Sequence, residues 1–325
     1  METERSYGII GITPSATAST IARPGRSIVP DEPLPRAVQR ISIGLLSRAI
    51  ADLRPHEDSS FDEGVHSARK RMKRLRAMLR LVRDDVGYRT YREENVVLRD
   101  TARTMSSVRD GWVLVETLRR LRGTYADLLD EETFMTPDAW LLARREEQRR
   151  MVTRPILSHA ICSLGTARSR FANFPIEEAI TDDYGAIAGG IERVYRRGYR
   201  GLERAGATRA VEDLHEWRKR VKYLRYQMEA LTPMYPALIG PAAKGLDELG
   251  KLLGYDHDLA VLAKTVLEHP ASCRDDRELW MLVALIHERR TTLQTQALRL
   301  GSALYVEEPS SFVDRIGAYW EAGRR

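Results

Sequence analysis

Cysteine is scarce in this 325-residue chain, which carries only Cys162 and Cys273. Neither belongs to a Cys-x-x-Cys pair, so the sequence offers no disulfide framework and no zinc cage. Long apolar runs are also missing: the longest, residues 279–286, falls far short of the roughly 18 residues that suggest a membrane span. Residues 1–33 form a polar segment rich in Pro, Ser and Thr and do not resemble a signal peptide. We therefore expect a cytoplasmic protein that has no membrane partner.

Strand signals are equally scarce. Asn-Gly or Asp-Gly turns between alternating apolar runs are absent apart from Asp110-Gly111, and helical spacing prevails from about Leu34 onward. The sequence predicts an all-α fold with helices over 34–54, 62–86, 89–108, 110–129, 137–172, 176–205, 208–232, 236–254, 256–268 and 274–303, and a short one over 309–322.

The chain contains an internal repeat. Residues 65–76, Val-His-Ser-Ala-Arg-Lys-Arg-Met-Lys-Arg-Leu-Arg, align without gaps on residues 214–225, Leu-His-Glu-Trp-Arg-Lys-Arg-Val-Lys-Tyr-Leu-Arg, and seven of the twelve positions are identical. A weaker match pairs 108–114 with 256–262, each after a helix that carries Arg103 or Lys251. Weaker still are the matches of Arg48 with Arg197 and of Arg149-Arg150 with Arg289-Arg290. The repeat predicts two helical bundles of about five helices each, over 34–175 and 176–325, after a disordered polar tail over 1–33.

Each repeated segment presents a cationic face if it is helical. At about 100° per residue, six basic side chains of the first copy fall within roughly 120°, and the apolar ones lie opposite. This first stripe is His66, Arg69, Lys70, Lys73, Arg76 and Arg80; the second stripe is His215, Arg218, Lys219, Lys222 and Arg225. Between Gly64 and Arg83 no acidic residue relieves the repulsion, which costs about 0.2–0.5 kcal/mol per like pair. The first stripe would extend about 20 Å, which suits a linear polyanion better than a small metabolite.

Lysine is rare, and its positions are informative. Of the seven lysines, Lys70, Lys73, Lys219 and Lys222 occupy matching positions of the two copies. An ammonium group is a compact point charge that suits phosphate oxygens at varied angles, whereas guanidinium favours planar bidentate partners. A single charge run is ordinarily a solvated helix face. The duplication, the missing acidic residues and the lysine pattern together favour binding of a phosphate-rich polyanion.

The two copies of His-x-x-Arg-Lys-x-x-Lys-x-Leu-Arg, each followed by a helix and an Arg-Asp or His-Asp segment, resemble the CHAD domain, the conserved histidine α-helical domain, over about residues 34–322. The resemblance implies two pseudo-symmetric bundles that face each other across a basic groove or pore. It implies inorganic polyphosphate as the partner, with other phosphate polyanions as further candidates and polyphosphate granules as a location. The implied ligands are the residues of both stripes other than Arg80, then Arg103 with Lys251 and Arg109 with His257. Arg80 is added as a candidate from its place on the helix face, and the weak repeat matches add a second tier of Arg48, Arg197, Arg149 and Arg289.

Two positions depart from the repeat, because Glu229 stands where the first copy has Arg80, and Tyr223 stands where it has Arg74. The second half-site is therefore expected to be less basic at that end. Many proteins with such a domain also carry an N-terminal triphosphate-tunnel (CYTH) domain. The segment before the first helix is too short for a closed barrel, so a stand-alone binding domain is expected here.

A hydrolytic enzyme and a nucleic-acid-binding protein are the alternatives. The chain has no P-loop and no Gly-x-Ser-x-Gly, and its His-Glu pairs lack the second histidine of a zinc-binding His-Glu-x-x-His helix. Adjacent Asp256, His257 and Asp258 do not converge on one ion, so we expect no metal, no cofactor and no catalysis. Nucleic-acid binding would require aromatic residues that stack bases, and only Tyr223 and Tyr226 lie near either stripe in the sequence. Polyphosphate is therefore favoured over RNA or DNA.

Overall fold

The computed structural model describes residues 24–54, 61–130 and 132–325, without the side chains of Pro24, Val108 and Arg109. The described residues contain no strand and form these α-helices: α1 (Leu34–Asp52), α2 (Phe61–Leu81), α3 (Tyr88–Arg103), α4 (Ser106–Thr124), α5 (Met135–Arg150), α6 (Arg154–Asn173), α7 (Ile176–Ala179), α8 (Gly185–Thr208), α9 (Val211–Leu231), α10 (Pro236–Glu268), α11 (Asp276–Leu304) and α12 (Pro309–Gly323). The predicted all-α fold is confirmed.

Three segments differ from the predicted helices. The helix predicted over 137–172 is interrupted at Met151–Thr153, because Pro155 has no backbone N–H and favours the first turn of a new helix, α6. The helix predicted over 176–205 consists of the single turn α7 followed by α8. Conversely, the helices predicted over 236–254 and 256–268 form the continuous 33-residue α10, in which Gly254 and Tyr255 are buried helical residues.

Part of the predicted polar tail, residues 1–23, lies outside the described residues. The part that is described packs against the second half of the chain. Ile28 is fully buried, and its backbone N–H donates to the carbonyl oxygen of Ala230 at 2.9 Å. A short 3-10 helix, Pro24–Arg26, precedes it and contacts α1.

The apolar faces of the helices meet in two clusters. The larger joins α1, α2, α3, α6, α8, α9, the first half of α10 and α12, with fully buried Leu75 and Trp217 among its members. The smaller joins α4, α5, the second half of α10 and α11, and includes Leu118, Leu262 and Leu282. Each cluster therefore takes side chains from both halves of the sequence. No described helix is both long and apolar enough to cross a bilayer.

Gly190 brings α8 close to the end of α2. A Cβ atom at this position would collide with the carbonyl oxygen of Leu81, so only glycine permits this approach. The same proximity places Arg193, one turn further along α8, within 2.6 Å of Asp84, from Nη1 to Oδ2. The C-terminal end of α2 thus lies against α8 as well as α9.

Candidate polyanion-binding site

The two repeated basic helices, α2 and α9, pack directly against each other. Nη2 of Arg74 lies 2.7 Å from Oε2 of Glu229, and Nε2 of Gln227 donates to the carbonyl oxygen of Ala77 at 3.5 Å. Further along, the guanidinium carbon of Arg80 lies 4.1 Å from the ring centroid of Tyr223. Residue numbers rise on α2 while they fall on α9, so the helices are antiparallel and the two stripes begin at opposite ends of the pair.

The two contacts at the ends of this pair involve equivalent positions of the repeat. The repeat alignment matches Arg80 with Glu229 and Arg74 with Tyr223. Each of the two sequence departures therefore contacts the counterpart of the other: Glu229 contacts Arg74, the counterpart of Tyr223, and Tyr223 contacts Arg80, the counterpart of Glu229. One end is an ion pair and the other is a cation–π contact.

The first stripe faces α3 and α4. Arg69 donates from Nη1 to the carbonyl oxygen of Ala102, and Nε of Arg76 donates to Oδ1 of Asn95 at 3.0 Å. The half-buried ring of His66 lies 6.0 Å from the Trp112 ring. These contacts join the stripe to a carbonyl and an amide of α3 and to an indole of α4.

Lys70 and Lys73 lie between those residues on α2. Desolvation lowers the pKa of Lys70, and the positive charges of Arg74 and Arg225 lower it further. Lys70 thus experiences the field of the second repeated helix as well as its own. Lys73 is half-buried.

The second stripe faces α10. Nδ1 of His215 lies 3.3 Å from Nδ1 of His257, and Nη2 of Arg218 lies 3.8 Å from Oδ1 of Asp258. Desolvation lowers the pKa of His215, followed by the positive charges of Lys219 and Arg218. Lys219 is paired with Glu216 on its own helix.

Lys222 and Arg225, the remaining residues of the second stripe, are half-buried. Two carboxylates bind Arg225. Nε of Arg225 lies 2.6 Å from Oε1 of Glu229, and its Nη1 lies 2.5 Å from Oδ1 of Asp247. Nζ of Lys251 lies 2.9 Å from Oδ2 of Asp247. Arg74, Glu229, Arg225, Asp247 and Lys251 therefore form a chain of alternating charge, which we call the clasp.

The arginines at the other end of the pair are not neutralised in this way. We call Arg76, Arg80, Arg83 and Arg197 the arginine corner, and in the described part of the chain no carboxylate lies within 4.0 Å of their nitrogens. Burial lowers the pKa of Arg80, and Arg76 and Arg197 lower it further. Burial also lowers the pKa of Arg197, with added effects of Arg220 and Arg83. Desolvated like charges in proximity favour an anion.

The structure places the other predicted residues at various distances from this arrangement. Arg103 is exposed, with Nη1 3.8 Å from Oδ1 of Asp100, and the side chain of Arg109 lies outside the described residues. Arg48 donates from Nη2 to the carbonyl oxygen of Gly25 at 2.9 Å. Arg149 lies over the ring of Phe61, and Arg289 over the ring of Tyr255. Of the second tier, Arg197 alone has an electrostatic contact with a stripe in the described residues.

Aromatic residues near the first stripe were missed in the sequence. Tyr88 and Tyr91 begin α3, and the guanidinium of Arg83 lies 5.2 Å and 5.5 Å from their ring centroids. Arg80 lies 5.7 Å from Tyr91. Within the segment the stripe lacks aromatic residues, as expected, but the folded surface supplies them from the next helix. Their spacing in the sequence gave no signal, because the contact depends on the turn between α2 and α3.

The acidic residues beside His257 have separate partners. Oδ1 of buried Asp256 accepts from Arg290 at 3.0 Å and from Gln294 at 2.9 Å, whereas Asp258 faces Arg218. Asp258 lies inside α10 and does not cap that helix. Among the described residues, no three His, Cys, Asp or Glu side chains are grouped as a metal site.

A cavity of about 1190 Å³ adjoins the clasp. Arg74, Glu229, Asp247 and Lys251 lie along its wall, together with apolar residues of α1 and α2 such as Ile41 and Met78. The clasp therefore borders open space between the two halves of the sequence.

Comparison with known proteins adds to this geometry. The family model of the CHAD domain matches residues 44–267, which is more than half of the chain and includes α2, α9 and most of α10. The chain belongs to the CHAD domain family. A crystal structure of the CHAD domain from the plant Ricinus communis is similar, with a TM-score of 0.51 and 19% identity over 92% of this chain and 95% of that chain. At this identity the likeness concerns the fold. No curated protein matches the chain.

The segment that matches the CHAD family model ends at residue 267, so α11 and α12 lie outside it. Both helices nevertheless pack against the matched segment. Arg290 and Gln294 of α11 bind Asp256, which adjoins His257 on α10, and buried Trp320 of α12 belongs to the larger core. Helix α11 therefore supports the part of α10 that carries His257.

Proposed function

We propose that this CHAD domain binds inorganic polyphosphate without catalysis along the cationic faces of α2 and α9. The observation that carries the proposal is the direct antiparallel packing of the two repeated basic helices, marked by the contacts of Arg74 with Glu229 and of Arg80 with Tyr223. Two stripes on adjoining helices can neutralise one extended anion together.

The electrostatics of the stripes support a highly charged ligand. Repulsion among cations spaced three and four residues apart is relieved when an anion lies between them. The lowered pKa values of Lys70, Arg80 and Arg197 arise from desolvation and from like charges, and the negative charge of a bound phosphate chain would favour the charged forms and so offset both effects. A stripe of about 20 Å reaches several consecutive phosphates.

The residues of the site support binding without a reaction. The stripe side chains are cations, and their contacts are with carboxylates, carbonyls, an amide and aromatic rings. His215 and His257 are candidates for proton transfer, and their Nδ1 atoms face each other at 3.3 Å. Charge neutralisation is the chemistry that this arrangement provides.

Competition between polyanions tests the proposal. Titration calorimetry with long-chain polyphosphate, and with single-stranded RNA and DNA of similar charge, would be carried out at two salt concentrations. We expect preference for polyphosphate, and an affinity that falls as salt rises because counterions are released from the ligand. Equal or tighter binding of RNA or DNA at physiological salt would overturn the proposal.

Single-stranded nucleic acid is the second candidate, and the tyrosines at the arginine corner favour it. Tyr88 is 61% exposed, and Tyr91 and Tyr223 lie beside Arg80. Such rings can stack bases while arginines bind the phosphates. Replacing Tyr88 and Tyr91 with leucine should weaken nucleic-acid binding several-fold if bases stack there, and should leave polyphosphate binding unchanged.

The binding is further proposed to direct the protein to polyphosphate granules. A fluorescent fusion should form foci in polyphosphate-rich cells and become diffuse when polyphosphate is depleted. Foci that persist after depletion would argue against this location.

A further inference from the structure

The two ends of the α2–α9 pair differ in how their cations are neutralised. The arginine corner lies toward the C-terminal end of α2, where Arg80 contacts Tyr223. The clasp lies toward the C-terminal end of α9, where Arg225 is bound by Glu229 and Asp247. Because the helices are antiparallel, these groups adjoin opposite ends of the α2–α9 contact, where Arg74–Glu229 and Arg80–Tyr223 lie about 9 Å apart along α2.

At the corner, a polyanion meets cations whose nitrogens have no carboxylate within 4.0 Å in the described part of the chain. Arg76 donates to the neutral amide of Asn95, and Arg80 donates to the backbone carbonyl of Arg76 at 2.6 Å. Arg197, an exposed residue of α8, adds a further guanidinium, whose pKa is lowered by partial desolvation and by neighbouring cations. A short phosphate chain can bind here without displacing an acidic group.

At the clasp, a polyanion meets cations that are already paired. Arg225 contacts two carboxylates at 2.5 and 2.6 Å, Arg74 shares Glu229, and Lys251 shares Asp247. The guanidinium side chains are 14–15% exposed and the carboxylates 28–31% exposed, so the pairs are only partly screened by water. Phosphate must displace Glu229 or Asp247 to reach Arg225.

We propose that Glu229 and Asp247 determine specificity for chain length, because they compete with phosphate for the clasp cations and limit the affinity gained by each chain extension from the arginine corner. The inference rests on the proposed polyphosphate binding. The ligand class is linear inorganic phosphate chains, and the carboxylates act as internal competitors at one end of the site.

The position of Glu229 in the repeat strengthens this assignment. The equivalent residue of the first copy is Arg80, a member of the corner. The same structural position thus carries a competitor at one end and a ligand-binding cation at the other. Lys70 lies in the field of both Arg225 and Glu229, so a change at the clasp also alters the first stripe.

The test compares tripolyphosphate with long-chain polyphosphate by calorimetry on the full chain. For Glu229→Gln combined with Asp247→Asn, we expect long-chain affinity to rise about fivefold and tripolyphosphate affinity to change less than about twofold. An unchanged or reduced long-chain affinity would overturn the inference, as would an equal gain for both ligands. The charge control is Glu321→Gln on α12, an exposed carboxylate outside the clasp that should change neither affinity more than about twofold.

Further variants keep the result interpretable. Asp247→Asn alone retains Glu229 as the bridge between Arg74 and Arg225, so the helices remain tied while one competitor is lost; a smaller gain limited to the long chain is expected. Arg80→Gln should weaken both ligands because it removes a corner cation. Failure of the wild-type protein to bind either ligand would defeat the proposed function itself, whereas binding with unaltered length dependence in the variants would defeat only this inference.

Discussion

Arg74 on α2 is ion-paired with Glu229 on α9, with 2.7 Å between Nη2 and Oε2. The pair joins the two copies of the repeat across their packed helices, and Glu229 also binds Arg225 at 2.6 Å. Glu229 therefore has two effects. The structural effect is that it joins α2 to α9, and the electrostatic effect is that it reduces the positive charge at the clasp. The two effects can be separated by experiment.

The structural effect predicts coupling between the two side chains. Arg74→Ala and Glu229→Ala should each lower the free energy of unfolding, and a double-mutant cycle should give an interaction of about 1–2 kcal/mol because both groups are partly buried. Chemical denaturation measures all four proteins. Additive effects would show that the pair contributes nothing beyond its separate side chains.

Lys73 and Lys222 provide the direct test of the stripes. The sequence placed them on solvent faces, but both are half-buried, so neutral replacements are preferable to charge reversal. Lys73→Gln combined with Lys222→Gln should weaken polyphosphate binding at least about tenfold and reduce its salt dependence, since two phosphate contacts are lost. Lys264→Gln, on an exposed side chain paired with Glu268, serves as the control. Unchanged affinity in the double variant would remove these lysines from the site.

Gly190 predicts a packing effect. Gly190→Ala should lower the free energy of unfolding by about 1–3 kcal/mol, because the methyl group would force α8 away from Leu81. Gly165 in α6 has no heavy atom near its hypothetical Cβ, so Gly165→Ala should instead stabilise the fold by about 0.5–1 kcal/mol. Thermal unfolding of both variants distinguishes the two signs.

His215 predicts a dependence of stability on pH. Its pKa in the folded protein is lowered from 6.5 by desolvation and by Lys219 and Arg218, so the unfolded chain takes up the proton more readily. The stability contributed by neutral His215 is present above about pH 6.5 and is lost as pH falls through the lowered folded value. His215→Gln should reduce the drop in melting temperature between pH 7.5 and 5.5; an identical drop in both proteins would contradict the prediction. His257 and Asp258 face this region from α10 and remain in the variant.

The sequence predicted those features that depend on local periodicity. The all-α fold and the helices that carry the stripes follow from spacings of three and four, and buried Met72 and Leu75 confirm the apolar face of α2. The clasp could not be predicted, because Asp247 meets Arg225 through packing of α9 against α10. Periodicity indicates which side of a helix is polar; it does not indicate which other helix lies beside it. The tyrosines near Arg83 were missed for the same reason.

Helix α10 spans about 50 Å at 1.5 Å per residue and is helical over all 33 residues, with one internal proline, Pro241, near its start. Its first half is embedded in the larger apolar cluster and its second half in the smaller one. The two clusters therefore share one helix, and a rotation of either cluster would displace Asp247 and His257 together. Any widening of the site to admit a thicker ligand must bend α10 or shift both clusters at once.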